Sequence, residues 1–125
     1  RLFEGIEEVI RELKKRGHIL GIVTSKSRRE FNADFATFGL NDLFDTVICV
    51  DDSPRPKPNP DPVLEYLKRA NADKPETIYI GDTAYDAQSA HSAGIDFALA
   101  VWGAHNWEEI NAEYYLKSPG EVLEL

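Results

Sequence analysis

Methionine is missing altogether from these 125 residues, cysteine occurs once, and 14 Lys plus Arg stand against 22 Asp plus Glu. Each shortage excludes something. A single cysteine builds no disulfide framework, and Cys49 sits in the apolar run from Val47 to Val50, where it reads as a small buried hydrophobe. The deficit of basic residues, a formal net charge of -8 and a pI near 4.8, is opposite in sign to what a polyanion-binding surface needs, so nucleic acid is excluded as an expected partner. Long hydrophobic runs are also wanting. The apolar stretches are far shorter than the roughly 20 residues that cross a bilayer, and Arg1-Leu2-Phe3-Glu4-Gly5 lacks the charged-then-apolar order of a signal peptide. A soluble, cytoplasmic protein with no membrane partner is the expectation. The lack of any methionine, with an opening that reads as mid-element, adds the expectation of an excerpt from a longer chain.

What is present is periodic. Ile6, Val9, Ile10 and Leu13 recur at helical spacing, with Lys14, Lys15 and Arg16 in the last turn and Gly17 as a left-handed stop. Ile19 to Val23 follows as an apolar run without polar alternation, the pattern of a strand covered on both faces of a parallel sheet. Phe31, Phe35 and Phe38 predict a second helix ending at Gly39, and Asp45 to Val50 a second buried strand. Asp61 is placed to N-cap a third helix, with Pro62 at its first position and Val63, Leu64 and Leu67 on its apolar face. Glu76 to Ile80 is the next strand. Ala87, Ala90 and Ala93 lead to Gly94 and a last strand, Asp96 to Val101, the alanines allowing close approach of helix to sheet. Ser118-Pro119-Gly120-Glu121 matches a capping box before a short closing helix. Four helix–strand alternations predict one α/β domain, a doubly wound parallel sheet with right-handed crossovers.

Ligands of such sheets bind beyond the C-terminal strand ends, which makes the residues there the informative ones. After the first strand, Thr24-Ser25-Lys26 offers two hydroxyls and a backbone turn that can donate to an oxyanion; the same residues can equally cap the next helix. After the second, prolines occupy every second position from 54 to 62 and hold Lys57 on a stiff mount. A fixed point charge suits a phosphoryl group, although a Pro-rich surface loop with an ordinary lysine has the same sequence. After the third, Gly81-Asp82-Thr83-Ala84-Tyr85-Asp86 sets two carboxylates one helical turn apart, so that both can face one point. A hard divalent ion relieves such a pair, and magnesium prefers a few carboxylate oxygens plus water and phosphate. The plainer alternative is Asp82 as an N-cap and Asp86 on a solvated face. His18, His91, His105, Trp102 and Trp107 have no companions at ligand spacing and read as packing or surface residues.

At these three strand ends the sequence resembles the haloacid dehalogenase superfamily, within it the phosphoglycolate-phosphatase-like branch. The resemblance rests on Thr24 after Gly21-Ile22-Val23, on Lys57 in Lys57-Pro58-Asn59-Pro60, and on Gly81 to Asp86 as G-D-x-x-x-D, in the family's order. It implies a three-layer α/β/α core with Thr24 and Ser25 binding the transferring phosphoryl group. Lys57 would neutralise that group and position the nucleophile, and Asp82 would ligate Mg2+, with Asp86 supporting the metal directly, through water or through Lys57. It further implies a small phosphorylated metabolite as substrate, hydrolysed through an aspartyl phosphate on a D-x-D segment. No D-x-D-x-T/V occurs in this sequence, and Asp51-Asp52 follows the wrong strand with adjacent carboxylates. Residues 1–125 are therefore expected to be the later part of one core domain, lacking the nucleophile-bearing central strand between the strands ending at Val23 and Ile80, and lacking a cap domain. A phosphomutase or phosphonatase of the same superfamily remains open at this point, as does a non-catalytic phosphate-binding protein. A dehalogenase is disfavoured, having no need of the paired aspartates.

Overall fold

The structure, a computed structural model, describes residues 5–35 and 41–125. Helix α1, Ile6–Lys15, ends where expected, with Gly17 at φ 92° taking the left-handed turn that a β-carbon would resist. Strand β1 covers Gly21–Val23 only, and α2 spans Arg28–Phe35. The expected run of α2 through Phe38 to a stop at Gly39 lies outside the described residues. Strand β2 is Thr46–Ile48, α3 is Asp61–Ala70, β3 is Ile78–Gly81, α4 is Ala84–Ala93 and β4 is Asp96–Ala100.

Strand β4 shows why its sequence is apolar from Phe97 to Ala100. Side chains alternate across a strand, and here both faces are covered. Phe97 and Leu99 join Val63 and Leu67 of α3 and Ala87, Ala90 and Ala93 of α4. Ala98 points the other way, to Val9 of α1, Leu116 and Val122. These two clusters are the helical layers of a doubly wound sheet, and every strand pair is parallel. Phe97 is wholly buried, which contributes about 1.5–3 kcal/mol relative to exposure. The small alanines of α4 let its helix lie directly on that ring.

Several boundaries differ from expectation for identifiable reasons. Ile19 is 70% exposed rather than part of β1, because the β1–β2 register begins at Gly21 opposite Thr46. Asp61 is the first residue of α3 and not its cap; the Leu64 N–H donates to the Pro60 carbonyl, while the Asp61 carboxylate pairs with Arg55 at 3.0 Å. Val101 leaves β4 for a 3₁₀ turn over Val101–Gly103. β4 is also not the last strand. β5, Tyr114–Leu116, adds to it in parallel, followed by a 3₁₀ helix over Pro119–Glu124 whose Ser118 makes no backbone cap. Glu121 instead accepts from the Lys117 N–H at 3.2 Å.

The β5 junction is pinned by Glu113. Its backbone N–H donates to the Phe97 carbonyl at 2.9 Å, and its Oε1 accepts from the Phe97 N–H at 2.7 Å and meets His91 Nε2 at 2.9 Å. Burial raises the Glu113 carboxyl, but the Phe97 N–H and His91 outweigh it and hold the group below its ordinary 4.5. A depressed carboxylate stabilises the fold at pH above the unfolded value, and that contribution disappears as the pH falls through the folded one. Glu113→Gln is therefore expected to lower the melting temperature at neutral pH, with the difference from wild type shrinking as the pH falls below the ordinary carboxyl value of 4.5 and through the lowered folded one. Melting curves across that range check it; a constant difference contradicts the assignment.

The strands form two ladders, β1–β2 and β3–β4–β5. Among the described residues no backbone ladder joins β1 to β3. No helix among them is long and apolar enough to cross a membrane.

Candidate active site

The three predicted strand ends meet around Tyr79 of β3, whose hydroxyl reaches both the Val23 carbonyl at the end of β1 and Lys57 from the loop after β2. Beyond β1, the Thr24 N–H donates to the Ile48 carbonyl at 2.9 Å, and the Val50 N–H to the Lys26 carbonyl at 2.9 Å, so this loop is stitched to the end of β2. Thr24 Oγ1 accepts from the Lys26 N–H at 3.2 Å, and Ser25 is exposed. The task of capping α2 falls to neither hydroxyl. Ser27 Oγ accepts from the Glu30 N–H at 3.1 Å while Glu30 Oε1 accepts from the Ser27 N–H at 2.8 Å, a reciprocal capping box. Thr24 and Ser25 are thus released from the structural duty that their residue types also suit.

The proline-framed loop is tied down from α4. Ser89, fully buried, donates to the Asn59 carbonyl at 2.7 Å, and both Asn59 nitrogens, backbone and side chain, donate to Pro56 O at 3.1 Å. So mounted, Lys57 turns inward. Its Nζ lies 2.7 Å from Asp86 Oδ1, and the two side chains are only 11% and 10% exposed. This is no solvated surface lysine.

Asp86 is reached because the chain before it has no side chain in the way. A β-carbon at Gly81 would stand 2.6 Å from Asp86 Oδ2 and 2.8 Å from its Cβ, a collision with the first turn of α4. The helix starts at Thr83, whose Oγ1 accepts from the Asp86 N–H at 3.1 Å, so Thr83 and not Asp82 is the N-cap. Asp86 Oδ2 in turn accepts from the Asp82 and Thr83 N–H groups at 3.2 and 3.3 Å. Its Oδ1 accepts from Lys57 and from Tyr79. Burial alone would raise this carboxyl; the Lys57 ammonium, with Thr83 and Asp82, more than reverses that and holds it below the ordinary aspartate range.

Asp82 is the opposite case. Burial first and the Asp86 charge second push its carboxyl upward, opposed only by its own backbone N–H and by Lys57. The turn after β4 closes over it: a β-carbon at Gly103 would lie 2.8 Å from Asp82 Oδ2. A half-buried anion so poorly compensated is the donor expected of a cation site, and its surroundings differ from those of Asp86 in a way that spacing does not show. Both oxygens of Asp86 are already taken up by donors. Asp82 has only its own backbone N–H and the more distant Lys57 charge to offset it, with Asp86 behind it holding Lys57. Among the described residues no group of three His, Cys, Asp or Glu side chains could hold a metal by itself. One carboxylate completed by other oxygens fits magnesium, which keeps waters and phosphate in its shell.

A family model described as haloacid dehalogenase-like hydrolase matches residues 1–100. The chain belongs to that family. It is 36% identical over 126 positions to pyrophosphatase PpaX of Bacillus velezensis, aligning 98% of itself with 58% of that protein. Its fold superposes with a TM-score of 0.93 on a candidate phosphoglycolate phosphatase from Lactobacillus plantarum, at 33% identity, covering 99% of this chain and 60% of that one. A candidate β-phosphoglucomutase from Thermotoga maritima is similar at 25% identity with a TM-score of 0.87, covering 98% of this chain and 58% of that one. The chain thus spans under two thirds of the length of the haloacid dehalogenase relatives it matches. Membership is consistent with the three strand-end motifs and with a parallel α/β core.

One participant went unread in the sequence. Tyr79, the second residue of β3, places its hydroxyl 2.9 Å from Lys57 Nζ and 3.2 Å from Asp86 Oδ1. The available signal was its position, since a tyrosine in a strand covered on both faces must find a partner for its hydroxyl.

Proposed function

We propose that the complete protein is a magnesium-dependent phosphatase of small phosphorylated metabolites, and that residues 1–125 supply the phosphate-holding and metal-holding part of its site. The observation that carries this reading is the buried Lys57–Asp86 pair standing beside the undercompensated Asp82 at adjoining strand ends. A lysine paired with a buried aspartate, and fixed on a tethered loop, is arranged for an anion that arrives from outside.

In this reading Thr24 Oγ and the backbone after it, with Ser25, donate to the non-bridging oxygens of the substrate, and Lys57 neutralises the charge that builds as the phosphoryl group transfers. Asp82 would hold Mg2+, with Asp86 supporting through Lys57; the ion supplies charge neutralisation of the phosphoryl oxygens. The nucleophile is an aspartate of a strand inserted between β1 and β3, which would unite the two ladders into one sheet and remove their facing edges. Attack by that carboxylate breaks the phosphorus–oxygen bond of the ester, and water then releases phosphate. The protein would act in the cytoplasm. The names of the relatives suggest phosphoglycolate and pyrophosphate as substrates to compare.

The test is release of inorganic phosphate from p-nitrophenyl phosphate, phosphoglycolate and pyrophosphate by the complete protein, with EDTA and with magnesium restored. Phosphate release that EDTA stops and magnesium recovers supports the reading. Activity indifferent to chelation sinks the metal role. Interconversion of sugar phosphates without phosphate release favours a mutase, the alternative to which the β-phosphoglucomutase-like neighbour points.

A further inference from the structure

We propose that Tyr79 is a positioning residue for Lys57, its hydroxyl acting with Asp86 to fix two of the three ammonium N–H directions and leave the third for the phosphoryl group. The proposal rests on the reading of Lys57 as a phosphate-binding group and adds a residue to that site.

A lysine stem has four rotatable carbons, and a single ion-pair partner restrains the distance of its ammonium but not its orientation. Two partners at an angle do. Lys57 Nζ has Asp86 Oδ1 at 2.7 Å and the Tyr79 hydroxyl at 2.9 Å, and lies 5.6 Å from the centroid of the Tyr79 ring. An ammonium has three donors and no acceptor, so with both contacts made one N–H is left over. The hydroxyl accepts from Lys57 and keeps its own proton to donate. Within reach are Asp86 Oδ1 at 3.2 Å and the Val23 carbonyl, the last of β1, at 3.4 Å. One phenol therefore touches the end of β1, the lysine from the loop after β2, and the aspartate of α4. Thr24 follows Val23 directly, so the same hydroxyl ties the threonine-bearing strand end to the lysine.

The ring itself cannot drift. Tyr79 pairs in register with Phe97, its ring packs edge-on against Phe97 at 5.9 Å and 79°, and Phe97 is completely buried. The lysine anchor is thus carried by the ladder that holds the fully buried Phe97.

Tyr79→Phe keeps the ring, its packing and its face toward the ammonium, and removes only the oxygen. In the complete protein with magnesium present, the affinity for inorganic phosphate is expected to fall about tenfold, and kcat on p-nitrophenyl phosphate by a similar factor. The decisive comparison is a double-mutant cycle with Lys57→Met. If Tyr79 acts through Lys57, adding Tyr79→Phe to Lys57→Met changes phosphate affinity less than about twofold. A tyrosine that serves only the fold gives either no loss in the first place or the same loss in both backgrounds, and either result overturns the proposal. Phosphate titration needs no turnover. Expected coupling in a protein without phosphatase activity would remove the functional reading and keep Tyr79's role, while hydrolysis without coupling would do the reverse. Melting curves confirm that each variant is folded, and titration in the cold keeps a weakened variant folded for the comparison.

Discussion

Lys57→Met is expected to reduce hydrolysis by the complete protein about 10²–10³-fold and, unusually for a change at an active site, to destabilise the fold as well. The activity term is that of a preorganised cation removed from developing phosphoryl charge. The stability term comes from the partner left behind. Asp86 is 10% exposed, and breaking a buried pair by removing one member leaves an uncompensated charge at about 3–5 kcal/mol. The two terms separate in the double variant Lys57→Met/Asp86→Asn. An asparagine keeps one oxygen for the Asp82 and Thr83 N–H groups, turns its amide N–H toward the Tyr79 oxygen and carries no charge to strand, so stability should recover toward wild type while hydrolysis stays lost. Urea unfolding and p-nitrophenyl phosphate turnover read the two effects independently. Full stability in Lys57→Met would mean that the pair is not buried in solution.

Asp82→Asn is expected to move the two properties in opposite directions. Its carboxyl is raised in the folded protein by burial and by the neighbouring Asp86. A group whose folded pKa is raised is more easily ionised in the unfolded chain, so at neutral pH the Asp82 anion opposes folding. Asparagine removes that anion, and the metal-free variant should melt no lower than wild type. Ligand-linked stabilisation behaves differently. A cation at 100 times its Kd stabilises by about 2.7 kcal/mol, and this increment should vanish in the variant together with at least about 10²-fold of the hydrolysis. Melting temperatures with and without magnesium, set beside kcat, form the measurement. A magnesium-dependent shift that survives Asp82→Asn would place the cation elsewhere. Sites that trade stability for function in this way are where a fold is expected to carry an unfavourable charge.

Much of this arrangement is legible in residue order because strand ends are where local pattern and tertiary position coincide. An apolar run followed by Thr24, by the prolines around Lys57, or by Gly81-Asp82 says both that a strand stops and what chemistry stands there. The alanine face of α4 is equally plain, since Ala87, Ala90 and Ala93 admit no other purpose than close packing. What escaped the sequence depends on long-range pairing. β5 is three residues long, two of them tyrosines 46% and 39% exposed, and it is a strand only because β4 offers an edge. Ile19 looks like a strand residue until the register with β2 leaves it outside. Spacing alone left Asp82 and Asp86 alike; their surroundings, four donors on Asp86 against a closing glycine turn over Asp82, set them apart. Tyr79 is the clearest example, because its role is set by residues 22 positions earlier and 7 later.

The central claim is that Thr24, Lys57 and Asp82 surround one phosphoryl group. A crystal structure of the complete protein with magnesium and inorganic phosphate tests it most directly. The expected result is a phosphate accepting hydrogen bonds from Thr24 Oγ1 and from the free N–H of Lys57, with Asp82 on the metal and Asp86 still on the lysine. A phosphate seated away from these strand ends, or one bound there without contact to Lys57, would contradict the account.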